Sequence, residues 1–120
     1  MFFRFLTLWL FVSALLPALA GEADIVKVKA SQGSKGKWTF HVTVRHGDTG
    51  WEHFANRWEV LSTEREILET RVLAHPHEHE QPFTRSLSGI ALPKGTKAVI
   101  IRAHDSQHNY GGKEILYRLP

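Results

Sequence analysis

The sequence predicts an all-β domain, a sandwich of seven antiparallel strands. Three observations carry that expectation. Apolar and polar residues alternate in short runs, most clearly in KWTFHVTVRH (37–46). Turn-forming residues separate the runs at regular intervals. No stretch of useful length holds a helical period.

The elements follow in order. DIVKVKA (24–30) sets Val26 and Val28 against Lys27 and Lys29, and SQGSKG (31–36) is a Gly/Ser turn. In the strand at 37–46, Trp38, Phe40, Val42 and Val44 face one way; Thr39, His41, Thr43 and Arg45 face the other. GDTGWEHFAN (47–56) is a longer connection. Thr49 and Glu52 have capping-box spacing there, which predicts one helical turn with Trp51, Phe54 and Ala55 as a lid and His53 pointing away. RWEVLS (57–62) pairs Trp58 with Val60, TERE (63–66) turns, and ILETRVLA (67–74) is a strand. HPHEHEQP (75–82) is the second longer connection. FTRSLSGIAL (83–92) is a strand in which Gly89 predicts a bulge that shifts the inward face. PKGT (93–96) turns, KAVIIRA (97–103) is a β-branched strand, HDSQHNYGG (104–112) connects, and KEILYRL (113–119) closes the series.

Seven strands at this spacing predict an immunoglobulin-like or fibronectin type III-like β-sandwich. A small cupin-like or jelly-roll barrel is the alternative. Residues 21–120 form the single domain. Residues 1–20 read as a cleaved signal peptide: an early cation at Arg4, an apolar run from Phe5 to Leu16, Pro17, then Ala18 and Ala20 before the cut at Gly21. The apolar run is too short for a confident membrane span. The expected address is the periplasm or the exterior, with no membrane anchor after cleavage.

Composition excludes several classes. The chain has no Cys, so it offers no disulfide, thiol nucleophile, iron–sulfur cluster or lipid-bearing cysteine. The 120 residues carry a net charge of +3, with both signs interspersed, which argues against a nucleic-acid partner. Ser86, Ser88 and Ser106 lie in no nucleophile-elbow context, so no hydrolytic triad is readable.

The histidines carry the functional signal. Antiparallel strands return every second connection to the same pole. Taken from the ends of the strands, the connections at 46–56, 75–82 and 104–112 share one pole, and they hold His46, His53, His75, His77, His79, His104 and His108, seven of the eight histidines; those of the other pole hold none. The eighth, His41, has the period of an exposed sheet face. Pro76 and Pro82 hold the residues before them extended, which predicts His75, His77 and His79 on one face and Glu78 and Glu80 opposite. Two imidazoles spaced in this way converge on one ion. His75 and His77 are the first candidate ligands, then His108 and His104, then His46 and His53, with His79 as a spare. A carboxylate from Asp48, Asp105 or Glu78 can join them. Such ligands suit a transition metal ion, zinc or copper(II) first, nickel or iron(II) next, and not calcium or magnesium. The expected role is sequestration, delivery or sensing rather than turnover. The alternative is a metal-free module that binds a periplasmic protein partner through Trp51, Phe54 and Tyr110 at the same pole. Trp38, Phe40, Trp58 and Val60 read as core. Arg85 reads as a strand residue, with Glu59 or Glu69 as ion-pair candidates.

HPHEHE, PKG and His104 faintly resemble the two cupin motifs, but Glu80 follows His77 too soon and His104 lies too far beyond Gly95. The superoxide reductase sandwich is similar in fold and in its His-rich iron centre; its Cys ligand has no counterpart here. WEHFANRWEVL, AHPHEHEQPFTRSLSG and HNYGGKE together resemble a family of small exported bacterial proteins, mostly described as uncharacterised. The resemblance implies a periplasmic address and the sandwich fold, and it carries no catalytic residues.

Overall fold

The computed structural model describes residues 21–120; the expected signal peptide lies outside the described residues. Seven strands appear in the expected order: β1 (Asp24–Gln32), β2 (Trp38–Arg45), β3 (Ala55–Leu61), β4 (Ile67–Val72), β5 (Phe83–Ile90), β6 (Ala98–Asp105) and β7 (Ile115–Arg118). They form two antiparallel sheets, β1-β2-β5 and β4-β3-β6-β7. This is a sandwich and not a closed barrel. Its fourth strand pairs with β3, whereas in an immunoglobulin constant domain that strand extends the first sheet.

Alternation explains the core. Phe40, Val42 and Val44 of β2 are fully buried against Trp58 and Val60 of β3, Val99 and Ile101 of β6, and Phe83 and Ile90 of β5. Each such side chain contributes roughly 1.5–3 kcal/mol through burial. The bulge in β5 forms as expected. Phe40 faces Leu87 and Trp38 faces Ile90, so Ser88 and Gly89 together oppose Thr39, and Gly89 takes φ 72°. The inward row thereby passes from Leu87 to Ile90.

Two local expectations change. In β1 the register shifts between Ile25 and Lys27, so Ile25 is fully buried and Val26 is exposed. Ile25 and Val28 lie three residues apart, and both reach the core only if the strand absorbs an extra residue. The helical turn at Thr49 does not form. Thr49 N–H donates to His53 O at 3.0 Å and His53 N–H donates to Gly50 O at 3.2 Å, closing a tight turn. Trp51 stands 69% exposed on that turn instead of covering the core, while His53 is buried.

The connections at 46–54, 73–82 and 106–114 share one pole, together with the segment leading into β1. Gly112 fixes that segment. A Cβ on Gly112 would lie 1.9 Å from Ala23 O, so only glycine permits this approach. Lys113 N–H donates to Asp24 Oδ1 at 2.7 Å, and Ile25 N–H donates to Lys113 O at 2.8 Å.

Candidate metal centre

The site grows out of the strand period. The inward row of β2 runs Trp38, Phe40, Val42, Val44, and its next position is His46. The inward row of β6 runs Val99, Ile101, Ala103, and its next position is Asp105. His53 stands two residues ahead of buried Ala55 at the start of β3. The apolar core thus ends at this pole in polar residues that keep the inward phase, and all three are buried.

Asp105 is the hub. Its side chain is wholly buried, and its Oδ2 lies 2.8 Å from His46 Nε2, 2.9 Å from His53 Nε2 and 3.1 Å from His108 Nδ1. His53 Nε2 and His108 Nδ1 are themselves 3.1 Å apart. Gln107 and His108 donate backbone N–H groups to Asp105 Oδ1. His46, His53 and Asp105 each present a ligand atom, all within 4.8 Å of one another, so the group can hold a metal ion. Tetrahedral zinc, with bonds of 2.0–2.1 Å, would set its donors roughly 3.3 Å apart. The separations of Asp105 Oδ2 from His46 Nε2 and His53 Nε2, 2.8 and 2.9 Å, are close to that spacing.

Asp48 orients the group from behind. Its Oδ1 lies 2.5 Å from His46 Nδ1 and accepts from Ala55 N–H at 3.0 Å, while its Oδ2 accepts from His77 N–H at 2.6 Å. The hydrogen bond to Asp48 directs His46 Nε2 toward Asp105. A carboxylate behind a ligating histidine fixes its tautomer and raises its basicity.

No choice of tautomers lets hydrogen bonding satisfy every contact of this cluster. His46 must carry both ring hydrogens to meet Asp48 on one side and Asp105 on the other. Burial disfavours its charged form, but hydrogen bonds and charges from Asp48 and Asp105 outweigh burial and raise its pKa. Burial pushes Asp48 and Asp105 up, and their hydrogen bonds more than offset this, holding both below the usual carboxylate range. If His53 Nε2 and His108 Nδ1 both carry hydrogens, those hydrogens confront each other; if either is bare, its lone pair faces a carboxylate. A cation held among these atoms would take the place of the conflicting protons. The His108 side chain is 40% exposed and forms the opening to solvent.

The other expected residues lie around this cluster rather than in it. His77 is buried, stacked on Phe83 with ring centroids 3.9 Å apart. Its Nε2 faces Arg85 Nη2 at 2.8 Å, so the guanidinium occupies its lone pair. Burial, then the charges of Arg85 and His75, lower its pKa. Its Nδ1 is buried without a hydrogen-bond partner, 4.0 Å from Asp48 Oδ2. His75 is exposed, packs on His77 at 4.6 Å, and donates from Nδ1 to Pro76 O at 2.9 Å. His79 is exposed. Bends at His75 and at Glu78–His79 break the extended course that would have aligned the three rings. Gln81 ties this loop to the cluster: its Oε1 accepts from His46 N–H at 2.9 Å and its Nε2 donates to His77 O at 2.9 Å.

His104, next to Asp105, takes the opposite phase and lies on the outer side of its sheet, where it is buried. Its Nδ1 lies 2.6 Å from Asn56 Oδ1 and its ring meets Tyr110 edge-on at 4.9 Å. Tyr110 donates to buried Glu59 at 3.0 Å, and Arg57 and Arg102 pair with the same carboxylate at 3.0 and 2.7 Å. Arg85 pairs with Glu80 at 3.2 Å, not with Glu59 or Glu69. His41 is exposed, with Nδ1 2.6 Å from Ser86 Oγ.

The chain has a curated relative. A putative lipoprotein from Halomicrobium mukohataei is 37% identical over 95 residues, 79% of this chain and 46% of the relative. The chain therefore spans about half the length of that relative, whose description implies its export and names no metal. No family model matches the chain, and no solved structure gives a significant match.

Proposed function

We propose that this protein binds a transition metal ion at His46, His53 and Asp105, with His108 as the solvent-side ligand, and that it sequesters, delivers or senses that ion outside the cytoplasm. The observation that carries this reading is one carboxylate oxygen within 3.1 Å of three imidazole nitrogens. Two buried carboxylates, Asp48 and Asp105, converge on these rings, so a cation is favoured on charge as well as on geometry. The donor set of imidazoles and one carboxylate suits zinc or copper(II), with nickel and iron(II) behind them. The export of the relative and the signal-like residues 1–20 support a periplasmic or secreted address.

Elemental analysis of protein purified from its native envelope, with His53→Ala beside it, tests the reading. About one ion per chain, lost in the variant, supports it; wild-type protein that neither arrives with metal nor gains thermal stability on added zinc or copper(II) ends it. The metal-free interaction module remains the second reading. Trp51, 69% exposed and packed edge-on against Phe54 at 5.6 Å, favours a protein contact at this pole.

A further inference from the structure

We propose that the α-amino group of Gly21, created when residues 1–20 are removed, is itself a ligand of the ion held at His46, His53 and Asp105. This rests on the metal reading above and adds a regulation to it: the site is complete only in the processed chain.

Three observations support it. Gly21 O lies 2.9 Å from His46 Nε2, the same nitrogen that meets Asp105 Oδ2 at 2.8 Å. Gly21 thus reaches the ligand cluster itself, and its nitrogen is only two bonds from that carbonyl carbon. Amine and carbonyl of one residue form a five-membered chelate ring on a metal. Second, the approach of this segment is built into the fold. Ala23 is buried in the core, Gly112 leaves the space that Ala23 O occupies, and Asp24 and Ile25 are hydrogen-bonded to Lys113. A segment fixed two residues from its start places Gly21 reproducibly. Third, the expected cleavage falls between Ala20 and Gly21, and a small residue at the new terminus leaves the amine unhindered.

The chemistry separates the two states of the chain. In the precursor the nitrogen of Gly21 is an amide, whose lone pair is delocalised and donates poorly. After cleavage it is an amine, and the donor set becomes four nitrogens with two oxygens, from the Asp105 carboxylate and the Gly21 carbonyl. A nitrogen-rich set of this kind favours copper(II) over zinc. An exported chain then acquires its full affinity only once processed.

The test uses exported protein and copper(II) alone. One form has the natural sequence; a second carries one extra Ala between Ala20 and Gly21; a third is Gly112→Ala, which touches no ligand. Intact mass defines each terminus, competition titration gives the affinity, and electron paramagnetic resonance counts the coupled nitrogens. The expected result is a natural form beginning at Gly21, with affinity at least about tenfold above both others and one more coupled nitrogen than the Ala-extended form. Equal affinity and equal nitrogen count in the natural and extended forms overturn the amine ligand and leave the side-chain site standing. A natural form that begins elsewhere than Gly21 overturns it too. Failure of every form to bind copper(II) overturns the amine ligand as well, and the same failure repeated with zinc, nickel and iron(II) in a separate titration removes the metal reading itself.

Discussion

The loop at 75–80 and the cluster around Asp105 lie at the same pole and are both rich in histidine, yet their surroundings differ. The loop holds three histidines within five residues, two of them exposed, and the lone pair of the third faces an arginine. The cluster draws His46 and His53 from one connection and His108 from another, and gathers them on a carboxylate with no exposed side-chain surface. The density of histidine in a sequence therefore says little about where an ion would be held. A buried counter-charge that several rings share says more, because burial strengthens the attraction and excludes competing water. The loop has a different part. It hands a backbone N–H to Asp48 and, through Gln81, braces His46.

The sharpest way to break this contrast is Asp105→Ala. Loss of the shared acceptor is expected to abolish metal binding by elemental analysis and to lower unfolding free energy in urea by about 2–3 kcal/mol. Retained stoichiometry would show that the hub is elsewhere. Asp48→Ala comes next. The ligands remain but His46 loses its orientation, so metal affinity is expected to fall about 10–100-fold with stoichiometry intact at saturation; calorimetric titration reads this.

His77→Ala probes the loop. It removes the stack on Phe83 and is expected to cost about 1–2 kcal/mol of stability, while the number of ions bound stays the same. Fewer ions would bring the loop into the coordination sphere. Glu59 supplies an ionic network apart from the cluster, with Arg57, Arg102 and Tyr110. Burial pushes its carboxyl up, but hydrogen bonds from Arg102, Arg57 and Tyr110 more than offset this, so its folded pKa lies below the ordinary 4.5. Its contribution is present above that ordinary value and is lost as pH falls through the lower folded value. Urea midpoints are expected to drop over that acid window, and Glu59→Gln is expected to flatten this part of the drop. The smallest effect belongs to His75→Ala combined with His79→Ala: stability within about 0.5 kcal/mol of wild type and unchanged metal content. A loss of metal there would invert the comparison between loop and cluster.

Much of the architecture was legible. Alternation, β-branched content and turn residues marked the seven strands, Gly89 marked the bulge, and strand parity sent the histidine-bearing connections to one pole. The carboxylates Asp48 and Asp105 stand in the same connections as those histidines and are legible as partners for them. The helical turn at Thr49 failed because a capping box states a local preference, and a hydrogen-bonded turn at Gly50 places His53 inward instead. The ranking of ligands favoured 75–79 because an extended chain would align those rings, and the bends there are not written in any local pattern. One signal was available and more specific: His46 follows Val44, and Asp105 follows Ala103, in the phase of the core.

By itself the sequence determined the strands, their alternation and the pole at which histidines collect, since these follow from local stereochemistry and hydrophobic period. Only the tertiary structure decided which rings are buried, which carboxylate they share and which glycine admits the first residues of the described chain. Depth and convergence arise from the packing of two sheets, and positions as distant in sequence as Gly21, His46 and Asp105 become neighbours only once that packing exists.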